Sequence, residues 1–436
     1  MSRQTSAKRS DFRVDGERLW QSLMDMAQIG ATAIGGCNRQ ALTDDDRRGR
    51  DLFRTWCVDE GCEVRVDDMG NMFAHRRGLD PSRAAILIGS HLDTQPTGGK
   101  FDGVYGVLSG LEILRTLNAL DVVTQSPLEV VVWTNEEGAR FAPAMNGSGV
   151  WAGVIDKAEA YAQRSADGHT FHQELQRIGY LGDHLAGPFP VHAAFEVHIE
   201  QGPILEATGK QIGVVTGVQG MRWYDLVVEG TPSHAGTTPM SMRHDPVQTV
   251  ARILTEMSDH IEQVDNDARV TFGVLRSEPA SRNTVPQRVC TSVDLRHPKL
   301  HTLDEMEARL RALLATECDR RGTVGGLECI WDSPAIEFDR ECVESVRAAA
   351  KQLNYPAMDI ISGAGHDAVY VSRVAPTSMI FVPCADGLSH NEAESAAADD
   401  LEAGCNVLLH AVLAIDEVDK TRPGSQRLAQ HNQLHQ

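Results

Sequence analysis

AAILIGSHLDTQPTGGKFDGVYGVLSGLEILRTLNAL, residues 84–120, decides the fold class. It opens with Ala84–Ser90, a continuous apolar and small run suited to a strand buried on both faces. A glycine-rich loop follows. From Val104 to Leu120, Val107, Leu108, Leu111, Ile113, Leu114 and Leu117 recur at helical spacing. Leu128–Thr134 (LEVVVWT) then supplies a second buried strand. Strand, helix and strand of these lengths make a βαβ unit, which implies a parallel or mixed sheet with helices on both faces. Ala193–Ile199 and Thr377–Val382 read as further strands of that sheet.

Between residues 213 and 332 the pattern changes. A long β stretch (IGVVTGVQGMRWYDLVVEG) leads to a helix near Asp245–Val264. Strands at Arg269–Leu275 and Arg288–Leu295 follow, then a helix near Leu303–Arg321 and a strand near Leu327–Trp331. The order βαββαβ is the ferredoxin-like split arrangement. The expected organisation is therefore a larger α/β domain at 11–212 and 333–420, interrupted by a small α/β domain at 213–332. Residues 1–10 and 421–436 are polar and aperiodic, and are expected to be disordered.

Composition narrows the partners. The 436 residues carry 61 acidic and 41 basic side chains, a formal charge of −20. A field of that sign disfavours nucleic acid and anionic membrane surfaces, but a local basic pocket can still accept a small anion. The nine cysteines form no CxxC, the opening MSRQTSAKRS shows no secretory pattern, and no apolar run is long enough to span a bilayer. A reduced, cytoplasmic protein is expected.

Chemistry gathers at the expected strand ends, where loops of an open α/β sheet converge on one crevice. His91 and Asp93 follow the first strand, and Glu136 and Glu137 the second. His198 lies near the end of the third, Gln201 just beyond it, and His390 in the loop after the last. Asp102 sits among glycines in GGKFDG. Imidazoles and carboxylates suit borderline divalent ions, and two such ions need a bridging carboxylate, for which Asp102 is placed. One glutamate of the pair can bind metal while its neighbour serves as a base. Asp93 could accept the second N–H of His91. Each element alone has a plainer explanation: HxD is common, an acidic pair is usually solvated, and His198 could be a core histidine. Four strand ends together make the stronger case.

At these residues the sequence becomes recognisable. GSHLDTQPTGGKFDGVYGVLSGLE, TNEEGARFAPAMNGSGVWAG, FEVHIEQGP, SHAGTTPM and LSHNEAE resemble the amidase (hydantoinase/carbamoylase) branch of the dinuclear M20-type metallopeptidase family. That branch includes N-carbamoyl-L-amino-acid hydrolases, β-ureidopropionases and allantoate amidohydrolases. The resemblance implies two divalent ions (Zn, Mn, Co or Ni), with His91, Asp102 and His198 around one and Asp102, Glu137 and His390 around the other. It implies Glu136 as the base, Asp93 as support for His91, and Gln201 and Gly365 near the pocket. A histidine at 198, where peptidase relatives usually have a carboxylate, favours the amidase branch over peptidases and deacylases.

For the inserted domain the resemblance implies a lid and dimerisation module. His234 would stabilise the oxyanion in a neighbouring subunit's site, and Asn283 and Arg296 would hold the substrate carboxylate. The fork of an arginine suits bidentate carboxylate recognition. The implied reaction is hydrolysis of an N-carbamoyl-L-amino acid by a homodimer, with β-ureidopropionase or allantoate amidohydrolase as alternatives. A metallopeptidase, an N-acyl deacylase or a non-catalytic binding protein is disfavoured.

Overall fold

The structure, a computed structural model, describes residues 9–417. The ends expected to be disordered lie outside that range, apart from residues 9 and 10, which begin a short 3-10 turn, Arg9–Asp11. Six strands come first: β1 (Glu63–Val66), β2 (Met72–Arg76), β3 (Ala85–His91), β4 (Leu128–Trp133), β5 (Val191–Ile199) and β6 (Ile212–Val218). Then come β7 (Gly220–Glu229), β8 (Ser233–His234), β9 (Arg269–Thr271), β10 (Leu275–Glu278), β11 (Thr284–Val285), β12 (Arg288–His297) and β13 (Val324–Ser333). β14 (Ile336–Glu337), β15 (Ala357–Ser362) and β16 (Thr377–Val382) complete the set.

Among the described residues, nine strands form one mixed sheet, in the order β1-β2-β4-β3-β5-β16-β6-β14 with β15 beside β6. Its centre, β4-β3-β5-β16, is parallel throughout. All four central strands therefore end at one edge of the sheet. β3, β4 and β16 are buried along their whole length, as their unbroken apolar runs require. The helix Val104–Ala119 is buried almost all round. At Gly106 an added Cβ would stand 2.7 Å from Ser90 Cβ and from the Val197 carbonyl, so only glycine lets the helix backbone approach the sheet this closely.

The chain divides into two compact units, residues 217–337 and the remainder. The smaller one spans slightly different limits from the 213–332 expected of the insertion. The reason is pairing: β6 stays in the large sheet beside β16 as far as Gly213–Val215, and β13 continues its ladder with β7 as far as Ser333. Within the smaller unit the sheet order is β10-β12-β7-β13, with β9 also on β12, and every pairing is antiparallel. The expected single strand Arg269–Leu275 is broken into β9 and β10 around Phe272–Val274, where Gly273 and Val274 are exposed. β7 buries alternate residues, Tyr224, Leu226 and Val228, against Val250, Ile253 and Met257 of one helix and Leu303, Met306 and Leu310 of another.

Candidate metal centre

His91 is the last residue of β3, and His198 the penultimate residue of β5. Glu136 and Glu137 follow β4, and His390 lies in the loop after β16. Asp102 sits just before the helix that follows β3. These six side chains, drawn from a span of 300 residues, meet in one place. Asp102 Oδ1 lies 3.4 Å from His91 Nε2 and 3.1 Å from His198 Nε2. Its other oxygen, Oδ2, lies 3.6 Å from His390 Nε2. Glu137 Oε2 is 3.3 Å from His390 Nε2, and Glu136 Oε2 is 3.4 Å from His91 Nε2. The donors thus form two triads, His91–Asp102–His198 and Asp102–Glu137–His390, which share Asp102.

Backbone conformation aims these groups. Asn135, Gln201 and His390 all adopt the left-handed region, at φ 57°, 57° and 52°, and strain of this kind collects at functional sites. Gly103, at φ 65°, leaves no room for a side chain, since a Cβ would stand 2.3 Å from the His91 ring. Its N–H points at His198 Nε2, 3.0 Å away.

The donor set fits a divalent cation. His91 Nδ1 is 2.9 Å from the Asp93 carbonyl, and His198 Nδ1 is 2.8 Å from the Ile199 carbonyl. Each Nδ1 therefore carries a proton and donates. The Nε2 atoms then face the oxygens of Asp102, an arrangement that calls for positive charge between them, as a proton on the ring or as a bound cation. A divalent ion meets that need, and such orienting contacts are usual around metal ligands.

Asp93 plays a different part from the one expected. It supports His91 through its main-chain carbonyl. Its carboxylate instead accepts from the backbone N–H groups of Glu136 at 3.3 Å and Glu137 at 3.2 Å, holding the acidic pair in place. The pair then diverges, Glu136 toward His91 and Glu137 toward His390.

Electrostatics follow from burying so many carboxylates together. Burial pushes Glu136 well above its ordinary value despite the opposing charge of His91, with Asp367 and Glu137 adding to the rise. Burial and the neighbouring Asp102 push Glu137 up to about 8. For Asp102 burial works upward, but His198 and His91 outweigh it and hold the carboxylate well below its usual range. A carboxyl raised by burial beside a cluster of metal-type donors sits where a general base that must also return its proton is wanted.

Gln201 donates through Nε2 to Asp102 Oδ2 at 2.7 Å. Gly365 precedes His366, whose ring packs against that of His198 at 4.7 Å between centroids. In the smaller unit, β8 pairs with β11, and Ala235 N–H donates to the Asn283 carbonyl at 2.9 Å, so His234 and Asn283 lie close together. His234 is exposed. Its Nδ1 accepts from the N–H groups of Gly236 (3.0 Å) and Thr237 (3.2 Å), which leaves the proton on Nε2 as an outward-facing donor. Arg296 is engaged by Asp294, two residues earlier on β12, with Nη2 at 2.8 Å from Oδ2.

Several members of this neighbourhood escaped the sequence. Gln95 clamps Glu137 with its backbone N–H (3.1 Å) and its side-chain amide (2.7 Å). Buried Glu196 accepts from Ser90 Oγ at 2.6 Å and Ala368 N at 3.0 Å, and Asp367 accepts from Ser148 Oγ at 2.5 Å. His366 and Asp367 follow a strand end like the other site residues. Their strand, β15, is half exposed and lacks the apolar run that would have revealed it.

Residues 87–414 match the family model described as Peptidase family M20/M25/M40. The chain is 50% identical over 407 residues to the N-carbamoyl-L-amino-acid amidohydrolase of Rhizobium meliloti, covering 93% of this chain and 98% of that one. It is 33% identical to the allantoate amidohydrolase of Bacillus subtilis, covering 88% of this chain and 93% of the relative. Among solved structures, an amidase of the hydantoinase/carbamoylase family from Burkholderia multivorans superposes with a TM-score of 0.90 at 51% identity, covering 93% of this chain and 98% of that one. With the paired triads around Asp102, these likenesses lead to one conclusion: the chain belongs to peptidase family M20/M25/M40, in its hydantoinase/carbamoylase amidase branch.

Proposed function

We propose that the protein hydrolyses the ureido amide of an N-carbamoyl-L-amino acid, consuming water and releasing the free amino acid, ammonia and carbon dioxide. The observation that carries this is Asp102, whose two oxygens face two histidine-bearing triads while Glu136 stands beside His91. The 50% identity to a protein named for this activity supports the substrate class.

In this proposal His91, Asp102 and His198 hold one divalent ion and Asp102, Glu137 and His390 the other, of Zn, Mn, Co or Ni. Such ions supply Lewis-acid polarisation of a carbonyl and acidify a water. Glu136 takes a proton from the attacking water and returns it to the departing nitrogen. Asp93 keeps Glu136 and Glu137 in register through their backbone N–H groups. Gln201 orients Asp102, and Gly365 contributes backbone near His198. His234 presents its Nε2–H to the developing oxyanion from a neighbouring subunit, a preorganised donor of the kind that lowers such barriers most. Asn283 and Arg296 bind the substrate carboxylate, Arg296 exchanging Asp294 for it. The protein acts as a homodimer joined through the smaller unit. Nine free cysteines, and the lack among the described residues of any helix long and apolar enough to cross a membrane, support a reducing, cytoplasmic setting.

The 33% identity to an allantoate amidohydrolase supports a second reading, and β-ureidopropionase is the third. All three substrates carry a ureido group and a carboxylate. Purified protein loaded with Mn²⁺, Zn²⁺, Co²⁺ or Ni²⁺ should release ammonia from N-carbamoyl-L-amino acids well ahead of allantoate and N-carbamoyl-β-alanine. Faster release from allantoate would transfer the assignment to the second reading. Cleavage of peptides alone would overturn the amidase assignment.

A further inference from the structure

Glu394 lies four residues beyond His390 and 292 residues from Asp102, yet its side chain joins the loops that carry both. It is buried to 3% exposure. One oxygen, Oε1, accepts from the backbone N–H groups of Phe101 (2.9 Å) and Asp102 (3.1 Å). The other, Oε2, is 3.0 Å from Ser389 Oγ, and that hydroxyl also stands 2.9 Å from Asp102 Oδ2. Oε1 therefore grips the bridging residue at its backbone, and Oε2 shares the single Ser389 hydroxyl proton with Asp102 Oδ2, which ties the two carboxyl groups together.

Both ends of this brace are stiff. Glu394 N–H closes a turn onto the Asn391 carbonyl at 3.0 Å, and Ala393 N–H donates to Asn391 Oδ1 at 2.9 Å. On the other side, a Cβ at Gly99 would stand 2.0 Å from Glu394 Oε1, so the loop before Asp102 is shaped around the carboxylate. The two triads differ in how much they need such a brace. His91 and His198 are fully buried, each with Nδ1 fixed by a carbonyl. The side chain of His390 is half exposed, on a loop residue at φ 52°.

We propose that Glu394 is a positioning residue that sets the distance between Asp102 and His390, and so selectively controls how tightly the Asp102–Glu137–His390 triad holds its ion. This rests on the two-ion reading above. Outer contacts of this kind typically change metal affinity about 10–100-fold when removed. A glutamine keeps one oxygen for both N–H groups and offers Ser389 an N–H in place of the second oxygen. Geometry, not charge, is the required property.

Metal-free full-length protein titrated with Co²⁺ alone, followed by equilibrium dialysis and the visible cobalt spectrum, tests this. Wild type should bind two ions. Glu394→Ala should bind the first within about threefold of wild type and the second about 10–100-fold more weakly, and Glu394→Gln should restore the second. Wild-type affinity for both ions in Glu394→Ala would overturn the proposal, as would parallel loss of both or failure of glutamine to rescue. If Glu394→Ala does not fold, Ser389→Ala should weaken only the second ion, and an unchanged second affinity there would also overturn it. A wild-type stoichiometry below two would instead overturn the two-ion reading.

Discussion

Strand β3 is buried at each of its seven positions, whereas β7 alternates a buried residue with a less buried one along ten. The first pattern belongs to a parallel sheet covered on both faces, the second to an antiparallel sheet with helices on one side. The difference extends to the functional groups. His91, Asp102 and His198 are held in a dry setting by backbone contacts and other side chains, while His234 stands exposed and Arg296 is engaged by a neighbour on its own strand. The larger unit thus offers a site arranged in advance. In the smaller unit the groups proposed to meet substrate are exposed or engaged by a neighbour on their own strand.

If that division is right, the largest loss comes from the buried centre. Glu136→Gln should lower kcat about 10²–10⁴-fold while elemental analysis finds an unchanged metal content. A turnover near wild type in metal-loaded protein would remove Glu136 as the base. His234→Ala comes next, with kcat reduced about 10²–10³-fold and the metal content again intact. If His234 serves a neighbouring subunit, mixing that variant with Glu136→Gln should recover part of the activity after subunit exchange, and no recovery would argue against service across an interface. Arg296→Ala should raise KM about 10–100-fold for a carboxylate-bearing ureido compound and leave an uncharged analogue nearly unaffected. Equal effects on both compounds would sink the carboxylate assignment.

The smallest effect concerns stability in the metal-free protein. In the larger unit burial pushes Asp67 from 3.8 up to about 7, and burial with Asp102 pushes Glu137 from 4.5 up to about 8. Folded carboxyls with raised values hold protons that the unfolded chain releases. Their contribution is complete below about pH 4 and lost as pH rises through 7 to 8. In the smaller unit Glu307 is held below its ordinary value, burial being outweighed by Tyr224 and Arg311, so its contribution is lost only as pH falls. Hydrogen exchange on apoprotein at pH 5 and pH 8, corrected for intrinsic rates, should therefore show protection falling with pH in the larger unit only. Added divalent ions should reverse the loss at pH 8. A uniform change across both units would break the contrast.

Legibility followed burial. Unbroken apolar runs marked β3, β4 and β16, and the parallel order made their ends converge, so the five members of the two triads and Glu136 could be named from one chain of letters. β15 was missed because alternate exposure erases the apolar run, and His366 and Asp367 were missed with it. Asp93 was expected to hold His91 with its side chain, but the contact runs through its carbonyl, which no residue type announces. Glu394 lay within a quoted motif and still had no assignable task, because its partners sit 292 and 293 positions away.

By itself, the order of residues determined an α/β protein with a βαββαβ excursion, a metal-type donor set and a family resemblance. Periodicity and residue chemistry are local properties, and local properties survive in one dimension. Only the tertiary structure decided that the two oxygens of Asp102 face different triads, that His234 carries its proton on Nε2, and that Glu394 ties two distant loops together. Such facts depend on distances of about 3 Å between groups far apart in the chain, and spacing along a polymer does not encode direction.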